Sequence, residues 1–170
     1  MIASQSFANN IIVGNLGSKM QGEVISTFSY PWSLSFLDSD HLLVATKPGK
    51  LWLFDSAGIK TAVKNMVNVE YGGQGGMGDV VPHPNYSENY YVYFSYITSD
   101  DGGQTRYAVV DRAILRDLSF PSLENIERIW NQFPAVEGKG HFSHRIAFGP
   151  KGSAHENKIF ITSGDRQMQN

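Results

Sequence analysis

The 170-residue chain contains no cysteine. That excludes disulfides and thiolate metal centres and identifies no compartment. It also lacks any basic run, and its formal net charge is −2, from 14 Lys and Arg against 16 Asp and Glu. A nucleic-acid or anionic-membrane surface therefore has no electrostatic support. No stretch reaches the roughly 18 to 20 continuous apolar residues of a membrane-spanning helix, so no span is expected. Met1 to Asn10 has neither the basic nor the apolar region of a signal peptide. Helical periodicity is scarce as well. Some appears from Asp117 to Phe133, through Leu118, Leu123, Ile126, Ile129 and Trp130, and Pro121 interrupts it.

What is present favours strands. Hydrophobic residues make up 41%, charged residues 18% and aromatics 12%, with 17 Gly. This is globular composition, rich in strand and turn formers. β-Branched and aromatic runs bounded by turn residues predict strands at Ile11–Val13, His41–Thr46, Lys50–Phe54, Tyr90–Thr98, Tyr107–Ile114 and Lys158–Thr162.

An internal echo accompanies them. Leu34 to Asp40 leads into Leu42–Thr46, Val80 to Asn85 into Tyr90–Tyr96, and Ile146 to Gly152 into Ile159–Ser163. Each copy is an apolar strand, a Pro/Gly/Asp turn, and a second apolar strand. The copies start roughly 45 to 65 residues apart, close to the period of a β-propeller blade. A β-sandwich with similar hairpins is the other fold the pattern permits. At that period the chain supplies roughly three or four blades, fewer than a typical ring needs. It stops at Asn170, inside a turn. Residues 1–170 are therefore expected to form one partial, all-β propeller domain of a longer protein.

Two segments could carry chemistry. Gly138 to Arg145 places His141, His144 and Arg145 in a Gly-flanked loop that leads into a strand. Histidine is the side chain best suited to proton transfer near neutral pH. The residues alone leave two readings open, a proton-transfer site or one exposed and one structural histidine. For Arg145 an ion pair or a bond to loop carbonyls is preferred. Asp165 is either a turn former or an acceptor that fixes a histidine tautomer. The second segment has five Gly in the seven positions 72–78, with Gln74 among them. It has no Gly-Lys-Ser/Thr ending and no helix after it, so it is neither a phosphate loop nor a dinucleotide fingerprint. It reads as a turn between blades or as a backbone surface beneath a flat cofactor, with Gln74 offering its amide. Trp32, Trp52, Trp130 and His83 read as structural.

Six segments, in order, resemble the pyrroloquinoline-quinone-dependent glucose/sorbosone dehydrogenase family, which includes the soluble aldose sugar dehydrogenases. They are Pro31-Trp-Ser-Leu-Ser-Phe-Leu, Leu42-Leu-Val-Ala-Thr-Lys-Pro-Gly-Lys-Leu, Gly73-Gln-Gly-Gly-Met-Gly-Asp-Val-Val, His83-Pro-Asn-Tyr with Val92-Tyr-Phe-Ser-Tyr, His141-Phe-Ser-His-Arg-Ile-Ala-Phe-Gly-Pro, and Ile161-Thr-Ser-Gly-Asp-Arg. The resemblance implies a six-bladed propeller, of which this chain holds roughly the first three blades. It implies oxidation of an aldose at the anomeric carbon, with hydride passing to pyrroloquinoline quinone and electrons then to an external acceptor. It assigns His141 as the catalytic base, Asp165 as the residue that orients it, and Gln74 as a quinone contact. Calcium and further cofactor-binding residues are implied in later blades, so this chain alone is expected to be inactive. A periplasmic or secreted location is implied in the same way. Two departures stand out: His144 where Gly is usual, and Gly140 where Asn or Asp is common. A binding propeller without enzymatic activity and a lactonase-type hydrolase, drawing on Asp79 and Asp165 as metal ligands, are the alternatives.

Overall fold

The computed structural model describes residues 10–167. The readings made on Met1 to Ala8 and Asn9, and on the last three residues, lie outside it. The described chain is almost wholly β. Two antiparallel sheets of four strands each run in sequence order. The first comprises strands β3 (Pro31–Phe36), β4 (His41–Thr46), β5 (Lys50–Asp55) and β6 (Lys60–Ala62). The second comprises β7 (Met77–Pro82), β8 (Tyr91–Thr98), β9 (Tyr107–Ile114) and β10 (Glu124–Asn131). A third sheet of two strands, β11 (Ser143–Phe148) and β12 (Ile159–Ser163), follows. A hairpin of β1 (Asn10–Val13) and β2 (Lys19–Gly22) precedes them, and one helical turn, α1 (Tyr86–Asn89), joins β7 to β8. Each four-stranded sheet is one blade of a β-propeller. The first strands β3, β7 and β11 lie side by side.

The echo in the sequence falls on β3–β4, β7–β8 and β11–β12, the opening hairpin of each blade. The strand expectations on 41–46 and 107–114 match the observed bounds, those on 11–13, 50–54 and 90–98 differ by one residue at one end, and that on 158–162 is displaced by one residue at both ends. Tyr90 is the largest such difference in kind. It sits at φ 58 as the cap of α1, outside the strand. Residues 117–133 depart from the periodicity. They hold strand β10, with no helix. Pairing of β10 with β9 shifts register between Glu124 and Glu127 and again between Arg128 and Trp130. Each bulge adds a residue to one side of the ladder. Apolar side chains then recur at spacings of three, which imitates a helix.

The blades hold together through apolar faces. Leu43, Leu51, Leu53, Val80, Phe94 and Val109 belong to a buried cluster shared by the two four-stranded sheets. Full burial of each such side chain is worth roughly 1.5–3 kcal/mol. A smaller cluster, with Tyr93, Val110 and Ile146 at its centre, carries the third sheet. The open face of β3 leaves Trp32, Leu34 and Phe36 exposed.

A carboxylate joins the second and third sheets. Asp79, on β7, is only 6% exposed. Its Oδ2 accepts from Ile146 N at 2.9 Å and from Arg145 Nε at 3.0 Å. The expected ion pair of Arg145 is thus present, and the carboxylate of Asp79 is spent on the blade joint. Asp79→Ala leaves the buried Ile146 N–H without its acceptor, at a cost of about 1–3 kcal/mol. Hydrogen exchange should show the Ile146 amide losing protection, while the amide of Phe94, in the centre of β8, keeps it.

Candidate active site

The structure brings Gln74, His141 and Asp165 together, from three separate stretches of chain. His141 lies in the loop before β11, with Nδ1 2.8 Å from Asp165 Oδ1. Gln74 Oε1 accepts from His141 N at 2.8 Å, and Gln74 N donates to Lys139 O at 2.8 Å. The Gly-rich segment is therefore a docking surface for the 139–141 loop, and the carbonyl of the Gln74 amide is spent on that backbone. His144, three residues on, takes a different partner. It is buried at 5% exposure, with Nδ1 2.9 Å from Ser95 Oγ.

This loop is costly to form. His141, Ser143 and His144 have φ of 50, 62 and 61°, the left-handed region that non-glycine residues seldom adopt. Several contacts hold it. Phe142 is buried with Ile97 and Ala108. Gly164 N donates to Phe142 O at 3.1 Å, and a Cβ at position 164 would lie 1.9 Å from His141 O, so only glycine fits there. Arg166, 6% exposed, completes the lock. Its guanidinium donates to Gly140 O at 2.9 Å, Gly138 O at 3.2 Å and Arg106 O at 2.6 Å, and lies 3.8 Å from the centre of the Phe142 ring. The buried amide of Gln132 ties the same corner through Ser163 Oγ at 2.9 Å and Gly164 O at 3.1 Å.

The electrostatics define a tautomer. The carboxyl of Asp165 is held below its usual range, first by the Gln167 N–H at 3.0 Å and then by His141. It is an anion at neutral pH and can only accept. The proton between the two side chains therefore sits on His141 Nδ1, and in the neutral ring Nε2 is the nitrogen that carries the lone pair. Gln167 Nε2 lies 3.4 Å from that atom. Burial pushes the His144 imidazole down from 6.5 to about 4, so it is neutral at pH 7.

His141, Gln74, Asp165 and His144 line one cavity of about 480 Å³, together with Trp32 and Lys47. Lys47 donates to Gly73 O at 2.9 Å, and its ammonium lies 5.0 Å from the Trp32 ring centre. Trp32 was expected to be structural and instead forms a wall of this cavity. Lys47, Gln132 and Arg166 carried no signal in the sequence beyond the position of Arg166 directly after Asp165. His83 is placed as expected, its ring accepting from Asn85 N at 3.0 Å. Among the described residues, no group of three or more His, Asp or Glu side chains is arranged to hold a metal ion.

Comparison with known proteins gives one consistent result. The family model for Glucose / Sorbosone dehydrogenase matches residues 28–170. Aldose sugar dehydrogenase YliI of Escherichia coli (strain K12) is 28% identical over 142 residues, which cover 82% of this chain and 36% of that protein. A crystal structure of glucose dehydrogenase superposes with a TM-score of 0.73 at 30% identity, over 82% of this chain and 39% of that one. The PQQ-bound form of aldose sugar dehydrogenase from Streptomyces coelicolor shares the fold, with a TM-score of 0.62 at 23% identity, over 81% of this chain and 45% of that one. The chain thus spans about a third of the length of the curated relative it matches.

The buried His144 makes stability depend on pH. Its folded-state value lies below its ordinary one, so above pH 6.5 it is neutral whether the chain is folded or unfolded. As pH falls from 6.5 towards about 4, the unfolded chain takes up a proton that the folded one refuses. Stability should drop over that window by about 2–3 kcal/mol. Urea unfolding at pH 7 and pH 4.5 should show this loss, and His144→Gln should remove that share of it.

Proposed function

From the membership of this chain in the glucose/sorbosone dehydrogenase family, we propose that the protein oxidises an aldose sugar at the anomeric carbon, with pyrroloquinoline quinone as its cofactor. The observation that carries the reading is His141, whose Nδ1 is tied to Asp165 at 2.8 Å while Nε2 stays available beside the cavity. A base held by a third group is the arrangement proton abstraction needs. The residues present also fit a flat, oxygen-rich anion. Lys47 supplies a cation, Gln74 an amide, and Trp32 an aromatic wall. When bound, the quinone supplies the two-electron acceptor for the hydrogen on the anomeric carbon.

The chain's own residues do the rest. His141 Nε2 takes the proton of the anomeric hydroxyl. Asp165 keeps the proton on Nδ1 beforehand and faces the imidazolium that forms. Gln74 fixes the backbone at His141, and Arg166 holds the loop beneath it. The Gln167 amide lies at the nitrogen where the sugar hydroxyl must bind, so it gives way to substrate. An external electron acceptor, calcium and a periplasmic or secreted location belong to the same proposal through the family resemblance.

The test is dye-linked oxidation of a broad aldose panel by the full-length protein, with pyrroloquinoline quinone and calcium added. Reduction that requires both sugar and quinone is expected. A folded protein that reduces no dye under these conditions overturns the reading and favours a propeller that binds a carbohydrate or protein partner. In the active protein, His141→Ala should abolish turnover and leave quinone binding largely intact. Near-normal turnover in that variant would exclude His141 as the base. Asp165→Asn can present an N–H to Nδ1 and so shift the proton to Nε2. Its kcat should fall by about 10²–10⁴, with quinone affinity unchanged.

A further inference from the structure

His144 occupies an unfavourable position for a histidine. Its φ of 61° is one that glycine adopts freely. Its ring presses so close to Gly78 that a Cβ there would lie 2.1 Å from the imidazole Cε1. It is 5% exposed, and its only hydrogen bond to a described residue is the 2.9 Å contact of Nδ1 with Ser95 Oγ. A glycine at this position would remove both the backbone strain and the burial of a polar ring. Backbone strain kept in a binding site is a reason to look for a use.

The hydrogen-bond directions say which nitrogen carries the proton. Ser95 Oγ accepts from Asp79 N at 2.8 Å, so one lone pair of the hydroxyl is taken. Among the described residues, the acceptor for the Ser95 hydroxyl proton is His144 Nδ1. A neutral imidazole that accepts at Nδ1 carries its proton on Nε2. That N–H has no partner among the described residues and is not sealed from solvent. His144 lines the cavity together with His141, Gln74 and Lys47. The result is a donor with no protein partner among the described residues, carried by a residue that is 5% exposed and lines the site.

We propose that His144 Nε2–H is a binding donor, which together with Lys47 forms a subsite for a carbonyl or carboxylate oxygen of the molecule held in the cavity. The identity of that molecule rests on the quinone reading above. Pyrroloquinoline quinone carries both kinds of oxygen. A ligand acceptor takes the place of water at this N–H, and that contact offsets the strained backbone. His144 is then a specificity determinant of this chain, distinct in role from His141, which handles the substrate proton.

The experiment uses the full-length protein with ¹⁵N-labelled histidine rings and pyrroloquinoline quinone as the probe. In the resting protein at pH 7, His144 is expected as the neutral tautomer protonated at Nε2. Its Nε2–H resonance should shift on titration with quinone. His144→Gly, which suits the backbone at this position and should fold, should bind quinone about tenfold more weakly. A proton found on Nδ1 in the resting protein overturns the proposal. Equal quinone affinity in wild type and His144→Gly also overturns it, and leaves the quinone reading standing. A wild-type protein that binds no quinone overturns that reading and the subsite with it, an outcome recognisable because the parent and the variant then both fail to bind.

Discussion

The carboxylate of Asp79 sits at the joint between the second and third sheets, where it accepts from the backbone of Ile146 and the side chain of Arg145. β11 takes its position against β7 from this joint and from the apolar cluster around Ile146. The loop before β11 is in turn set over the Gly-rich segment before β7. The distance from His141 to Gln74 is therefore a property of how two blades meet. The same strand that provides Asp79 provides its N–H to Ser95, so the joint also reaches the ring of His144.

The site is held by backbone more than by side-chain pairing. Three non-glycine residues of the 141–144 loop lie in the left-handed region, and contacts along the loop and its approach hold them. His141 is held through its own N–H by Gln74. Phe142 is sunk into the core between two of them. Arg166 spends its guanidinium on carbonyls of the approach to the loop. Burial makes the loss of a proton from Arg166 easier than in water, yet its carbonyl partners and the Phe142 face keep it a cation in place. This division leaves the imidazole of His141 outside the supports of the loop, paired with Asp165.

Much of this was legible in the sequence, for physical reasons. Strands such as His41–Thr46 and Tyr107–Ile114 are long β-branched and aromatic runs closed by turn residues, so their bounds could be read directly. The blade repeat was visible because every blade opens with the same hairpin. His141, Gln74 and Asp165 were singled out on the resemblance, and their proximity follows from the fold. The helical look of 117–133 misled because bulges change the period of burial. Lys47, Gln132 and Arg166 were silent because their importance lies in what they touch, 26 to 60 residues away. Trp32 looked like packing because an indole does either job with the same chemistry.

The contacts that define the site also carry a consequence for how the molecule is made. The bonds from Gln74 to His141 and from Asp79 to Ile146 each close a separation of 67 residues. Hairpins within a blade close far shorter loops and form first, because chain closure grows more costly with length. The cavity is thus a late product of folding, assembled after the sheets that frame it. Weakening one of its long-range bonds acts mainly on how long the finished site persists, with little effect on how fast the sheets appear.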